Sequence, residues 1–134
     1  MKRVVIDTDV LIDFSKGHST WLEKSLRQEK RTIELILPTV VIAEYLASHI
    51  LEDPKLMKAT EELFSLFRKQ DFTEEIAKIL ALILRKKNYP RSAGFADLVI
   101  ASTTVYLDAQ LATRNKVDFS DIPKLRLFDT RDIL

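Results

Sequence analysis

The sequence contains no cysteine. Disulfides, zinc ribbons, iron–sulfur clusters and thiol nucleophiles are thereby excluded. It has only two glycines, Gly17 and Gly94. A dinucleotide-binding fingerprint and a Walker A loop each need closely spaced glycines, so neither is present. His18 and His49 are the only histidines, which leaves little room for a histidine-rich metal site and marks both as bystanders. There is no G-x-S-x-G turn and no indication of a Ser–His–Asp arrangement. An excess of one charge is missing too. Lys and Arg number 21 against 20 Asp and Glu, for a formal net charge of +1. Binding to nucleic acid by bulk basic charge is ruled out, so any such contact must rest on local patches. No apolar run is long enough to span a membrane. The first one, Val4-Val5-Ile6, stops at Asp7, too soon for a secretory signal, and a cytoplasmic location is expected.

What remains is an ordinary globular composition: 134 residues, 46% hydrophobic and 31% charged. It predicts one domain over residues 1–134, with a core that needs no covalent staple. Val4-Val5-Ile6 reads as a buried strand, and Ile33 to Leu37 as a second, ended by Pro38. Trp21 to Arg31 is a polar, helix-favouring stretch. Thr39 reads as the cap of a helix running to about Leu51, and Asp53-Pro54 opens another. Leu56, Leu63, Phe64 and Phe67 recur in it at helical spacing and read as core. Gln70-Asp71-Phe72 is either a connector or a very short strand. Thr73 begins a helix with an apolar stripe of Ile76, Ile79, Leu80 and Ile83. Lys86 to Gly94 is a loop, and Phe95 to Leu107 a further helix. Gln110 to Ala112 and Leu125 to Phe128 are short strands. Strands alternating with helices predict the α/β class, with a mostly parallel twisted sheet flanked by helices on both faces. Ligands of such sheets sit beyond the carboxyl ends of the strands.

The informative residues are acids in apolar surroundings. Asp7 follows the first strand directly. Glu44 is the sole carboxylate between Pro38 and Leu51, a stretch without Lys or Arg. Asp97 is the sole charged residue between Ser92 and Leu107. An unpaired buried carboxylate costs several kcal/mol or shifts its pKa until it is neutral. The compensating charge must come from elsewhere in the fold or from a bound cation. Asp118 lies about a turn beyond the strand at Gln110 to Ala112. Each acid alone has an ordinary explanation. Asp7 and Asp118 can act as caps, Glu44 as a solvated helix residue, and Asp97 as a first-turn acid favoured by the helix dipole. If the four meet at the strand ends, they form an all-oxygen cluster suited to Mg²⁺ or Mn²⁺. Such ions activate water and steady a phosphoryl oxygen in phosphodiester hydrolysis.

Four segments carry a family resemblance. They are Val5-Ile6-Asp7-Thr8-Asp9-Val10-Leu11-Ile12, Pro38-Thr39-Val40-Val41-Ile42-Ala43-Glu44, Ala96-Asp97-Leu98-Val99-Ile100-Ala101 and Ala112-Thr113-Arg114-Asn115-Lys116-Val117-Asp118-Phe119. In this order and near these spacings they resemble the motifs of the PIN-domain nucleases, and among those the VapC-type toxins of toxin–antitoxin pairs. The resemblance implies a Mg²⁺- or Mn²⁺-dependent ribonuclease acting on RNA, commonly a homodimer, with a small antitoxin protein as partner. It makes Asp7, Glu44, Asp97 and Asp118 the catalytic, metal-binding acids. It gives Thr8, Thr113 and Asn115 the role of holding the site in shape. Arg114, beside them, is a candidate phosphate contact. Asp9 departs from the pattern, since many members carry Asn or Ser there. It is either an extra outer ligand or a surface acid. Residues 53–91 match no motif and are left to dimerisation and substrate choice.

Other features have ordinary readings beside sharper ones. Asp13 and Asp121 read as surface or capping acids. Arg85-Lys86-Lys87, with Tyr89 and Arg91 nearby, is either a solvated helix end or a phosphate track with a base-stacking ring. Trp21 and Leu22, on a polar helix, mark a candidate partner groove. Two other functions compete. Asp7-Thr8-Asp9 after a β-branched strand resembles the nucleophile motif of haloacid-dehalogenase-type phosphohydrolases, with Asp7 phosphorylated and Asp9 as acid and base. Against it, Leu11 stands where that family has Thr or Val, and Glu44 would have no role. A catalytically inactive PIN module that binds RNA or protein is the third reading.

Overall fold

β1 (Lys2–Ile6) is the central strand of the computed structural model, which describes residues 1–48 and 53–132. Val4, Val5 and Ile6 are all fully buried. Successive strand residues point to opposite faces, so three buried in a row require both faces of the sheet to be covered. β2 (Ile33–Pro38) repeats this pattern through Leu35, Ile36 and Leu37. β4 (Gln110–Ala112) flanks β1 on the other side, and β3 (Arg68–Gln70) and β5 (Arg126–Leu127) form the edges. The order is β3-β2-β1-β4-β5, and every pairing is parallel.

Parallel neighbours need crossover connections, and helices supply them. α1 (Thr8–Ser15) and α2 (Thr20–Arg27) link β1 to β2. α3 (Thr39–Ser48) and α4 (Pro54–Ser65) link β2 to β3. α5 (Glu74–Lys86) and α6 (Phe95–Tyr106) carry the chain back across the sheet to β4. Short 3₁₀ turns follow at Lys116–Phe119 and Thr130–Asp132. From β1 the chain steps one way to β2, and later arrives at β4 on the opposite side. The reversal opens a crevice at the carboxyl ends of β1 and β4, where ligands of open α/β sheets bind.

Local chemistry fixes most element starts. Asp53 caps α4 by accepting from the Lys55 N–H at 2.9 Å, with Pro54 at the first helical position. Thr73 caps α5 by accepting from the Ile76 N–H at 3.3 Å. Two connections differ from the sequence reading. α1 was not expected: its Thr, Val and Ile residues are weak helix formers, and tertiary burial of Val10 and Leu11 decides the matter. Gln70 ends β3, so Asp71 and Phe72 lie beyond the strand. The predicted end of α3 at Leu51, and His49 with it, lie outside the described residues.

One surface assignment and one core assignment are also corrected. Leu22 is fully buried and Trp21 packs on Phe128 with ring centroids 5.1 Å apart, so this pair belongs to the core rather than to a partner groove. Leu56 is 53% exposed, while Phe64 and Phe67 of the same stripe are buried, because the first turn of α4 projects past the core. No helix among the described residues is long and apolar enough to cross a membrane.

Candidate metal centre at the strand switch point

Asp7 leaves β1 while its N–H still donates to the Ala112 carbonyl of β4 at 3.0 Å. Its carboxylate is therefore held at the switch point, where it also caps α1. Oδ1 accepts from the Thr8 N–H at 2.8 Å, and Oδ2 accepts from the Thr113 hydroxyl at 2.6 Å. The residue is only 5% exposed. Burial raises its pKa to about 7 and is the largest influence. The charges of Asp9 and Asp97 push the same way, while the Thr113 and Thr8 hydrogen bonds pull it down.

Thr8 connects Asp7 to α3. Its hydroxyl donates to Glu44 Oε1 at 2.7 Å. Thr113 connects Asp7 to the chain beyond β4. Its Oγ1 accepts from the Asn115 N–H at 3.0 Å, and the Asn115 side-chain amide donates to Asp118 Oδ2. One string of hydrogen bonds therefore runs from Glu44 through Thr8, Asp7, Thr113 and Asn115 to Asp118. Asp97 stands on the first turn of α6, where its Oδ2 accepts from the Gly94 N–H at 2.9 Å. Its charge reaches Asp7, although no hydrogen bond joins them. The ordinary reading of Asp97 as a helix-capping acid is thus seen directly, and its charge bears on Asp7 through space.

None of Asp7, Glu44, Asp97 and Asp118 pairs with a Lys or Arg among the described residues. The string links three of them in series. No three Asp, Glu or His side chains among the described residues converge closely enough to grip one ion as they stand. The donor set is nonetheless all oxygen, negatively charged and partly desolvated, which suits a hard divalent cation. A cation would also offset the cost of burying the Asp7 charge and the smaller repulsion from Asp9 and Asp97.

Asp9 and Asp13 belong to a second arrangement. Asp9 is half-buried, and its carboxylate accepts from the Arg114 N–H at 3.2 and 3.4 Å. Burial is the main cause of its raised pKa. Asp13 pairs with Arg114 Nε at 2.9 Å. These acids pin the loop after β4 to α1. Asp13 is therefore an anchor rather than a free surface acid. The signal was present: Asp9 and Asp13 are four apart and share a helix face, once α1 is known to be a helix. Arg114 remains 66% exposed, with its terminal nitrogens making no ion pair among the described residues. His18 is exposed and lies outside the string of site residues.

The family model of the PIN domain matches residues 4–125, a span that includes all four acids. The chain belongs to the PIN domain family. Membership decides against the haloacid-dehalogenase assignment for the Asp7-Thr8-Asp9 start. Solved structures agree in fold. A chain in DNA-bound VapBC from Salmonella typhimurium superposes with a TM-score of 0.77 at 20% identity, covering 97% of this PIN domain chain and 99% of that one. VapBC-1 from nontypeable Haemophilus influenzae gives 0.77 at 23% identity, covering 96% and 98%. FitAcB from Neisseria gonorrhoeae gives 0.71 at 22% identity, covering 96% and 98%. No curated protein matches the sequence.

Proposed function

We propose that this PIN domain is a metal-dependent endoribonuclease and the toxin of a type II, VapBC-type toxin–antitoxin pair. The observation that carries the reading is the set of four carboxylates, three of them strung together by hydrogen bonds past the β1 and β4 ends, none of which is ion-paired among the described residues. In this reading Asp7, Glu44, Asp97 and Asp118 hold Mg²⁺ or Mn²⁺. When bound, the ion polarises a phosphoryl oxygen and lowers the pKa of water for attack on the phosphodiester bond. Thr8 and Thr113 fix the two oxygens of Asp7, and Asn115 fixes Asp118. Such supporting bonds hold ligands at productive angles. The resemblance in fold to chains of VapBC and FitAcB supports an antitoxin protein as partner; a homodimer is the assembly proposed with it.

The test is to incubate the purified chain, free of any antitoxin, with total cellular RNA in Mg²⁺ or Mn²⁺. Discrete fragments that disappear with EDTA are expected. Intact RNA in every metal, from protein shown to be folded, would favour the inactive binding module instead.

Arg114 is assigned a phosphate contact. Asp13 engages its Nε and leaves the guanidinium tip facing solvent beside Thr113. Arg114→Ala is expected to raise KM about tenfold, the scale of one lost charge-assisted hydrogen bond, with kcat little changed. An unchanged KM for RNA would remove Arg114 from the binding surface.

A further inference from the structure

We propose that the cleft where α1 gives way to α2 is a base-reading pocket, which holds one nucleobase of the RNA strand near the cut; this rests on the ribonuclease reading above. The cavity measures about 380 Å³, the size of a small-ligand site. Val10 and Trp21 give it apolar walls, and His18, Ser19 and Thr20 supply hydrogen-bonding groups. Asp13 and Arg114, also in its wall, pair with each other at 2.9 Å. A flat, uncharged ring with polar edges suits this lining better than a bare ion does.

The cleft is built into the fold. α1 ends in a turn where Gly17 takes φ +76°, and the His18 N–H donates back to the Asp13 carbonyl at 2.8 Å. A left-handed glycine of this kind stops the helix and fixes where the next residues stand. Those residues are His18 and Ser19. Ser19 precedes the first turn of α2 and is only 7% exposed, yet its hydroxyl caps nothing and makes no other hydrogen bond among the described residues. A serine in this position ordinarily accepts from the first-turn N–H groups. Here the Thr20 and Trp21 N–H groups also lack an acceptor among the described residues. Burying a hydroxyl without a partner carries a cost, which a base edge bonded to it would offset.

Arg114 ties the cleft to the four acids. It lines the cleft and directly follows Thr113, whose hydroxyl bonds Asp7. Asp13 lies about 9 Å from Asp7 along α1, at about 1.5 Å per residue. A strand with one phosphate at the acids and another against the exposed guanidinium of Arg114 therefore brings a base to the cleft. Unpaired RNA is read in this way, by contact with the ring face and hydrogen bonds to the base edge.

The experiment uses the full chain, labelled for NMR and kept in EDTA. Trp21 is the only tryptophan, so its indole N–H gives one resonance that reports on the cleft. The four nucleoside monophosphates, and ribose phosphate as a control without a base, are titrated separately. A saturable shift of the indole resonance is expected, with one base held at least about fivefold more tightly than the others, the scale of one hydrogen bond. Ribose phosphate should leave the resonance unmoved. Ser19→Ala should remove most of that preference and, in Mn²⁺, blur the sequence at which RNA is cut. Its thermal unfolding should not change, because the hydroxyl bonds nothing in the fold. Thr20→Tyr, at the exposed mouth of the cleft, should block the indole shift. No indole shift with any nucleotide would overturn the proposal. So would an equal shift with ribose phosphate, which would make the cleft a phosphate site. A base preference that survives both substitutions would place binding elsewhere and overturn it too. If wild type leaves RNA intact in Mn²⁺, the ribonuclease reading fails, and the titration still decides whether the cleft binds a base.

Discussion

Asp97→Asn is expected to reduce metal-dependent RNA cleavage at least about a hundredfold. Changes to groups that merely orient a metal ligand already cost 10- to 100-fold, and a direct ligand costs more. The substitution is clean because Asp97 uses one oxygen to cap α6, accepting from the Gly94 N–H. The Asn carbonyl oxygen can accept the same bond, so the helix start survives. What is lost is charge and one anionic donor. Thermal unfolding in EDTA should therefore barely change, while the stabilisation gained on adding Mn²⁺ should shrink. Retained cleavage in Asp97→Asn would remove this residue from the site.

The second large effect concerns stability, and its direction is opposite to that of most active-site changes. Asp7 has its pKa raised from 3.8 to about 7, so the folded metal-free chain holds this proton more tightly than the unfolded one. The sign follows from linkage. Below about pH 4 the carboxyl is neutral in both states and costs nothing. Between about pH 4 and pH 7 stability falls as the buried group is forced to ionise, and above that range the loss is constant. A shift of this size corresponds to at most about 4 kcal/mol. Asp7→Asn removes the charge but leaves one mismatched hydrogen-bond partner at Thr8 or Thr113, which offsets about 1–2 kcal/mol. A net gain of about 2 kcal/mol at pH 8, turning into a net loss of about 1–2 kcal/mol at pH 4, is expected. Urea midpoints in EDTA across this range measure it. A wild-type midpoint that stays level from pH 4 to 8, or a variant less stable at pH 8, would contradict the assignment of a buried, repelled carboxylate.

The fold was legible where pattern and burial coincide. Val4-Val5-Ile6 is too short and too β-branched for a helix, and its continuous apolar run already meant a sheet covered on both faces. Asp53-Pro54 and Thr73 announced their helices through capping chemistry alone. Among the proposed site acids, Asp7, Glu44 and Asp97 stood out because each adjoins apolar sequence, whereas Asp118, in a polar stretch, stood out through the family resemblance. Their connections were not legible. The Thr8 to Glu44 and Thr113 to Asp7 bonds join residues 36 and 106 apart, and no local preference encodes such pairs. The Asp9–Arg114–Asp13 latch escaped for the same reason, compounded by the unrecognised α1. Trp21 misled because a polar helix conceals how deeply one turn of it is buried against Phe128.

The span of 106 residues between Asp7 and Thr113 has a consequence for biosynthesis. β1 is made first, yet β4 cannot dock beside it until the whole of α1 to α6 has been synthesised. Pairings this distant in sequence form slowly, because a long loop must close before any contact rewards it. A nascent chain thus carries Asp7 and Glu44 for most of its synthesis without Thr113, Asn115 or Asp118 beside them. The full constellation of site residues comes together only when the last part of the sheet is laid down.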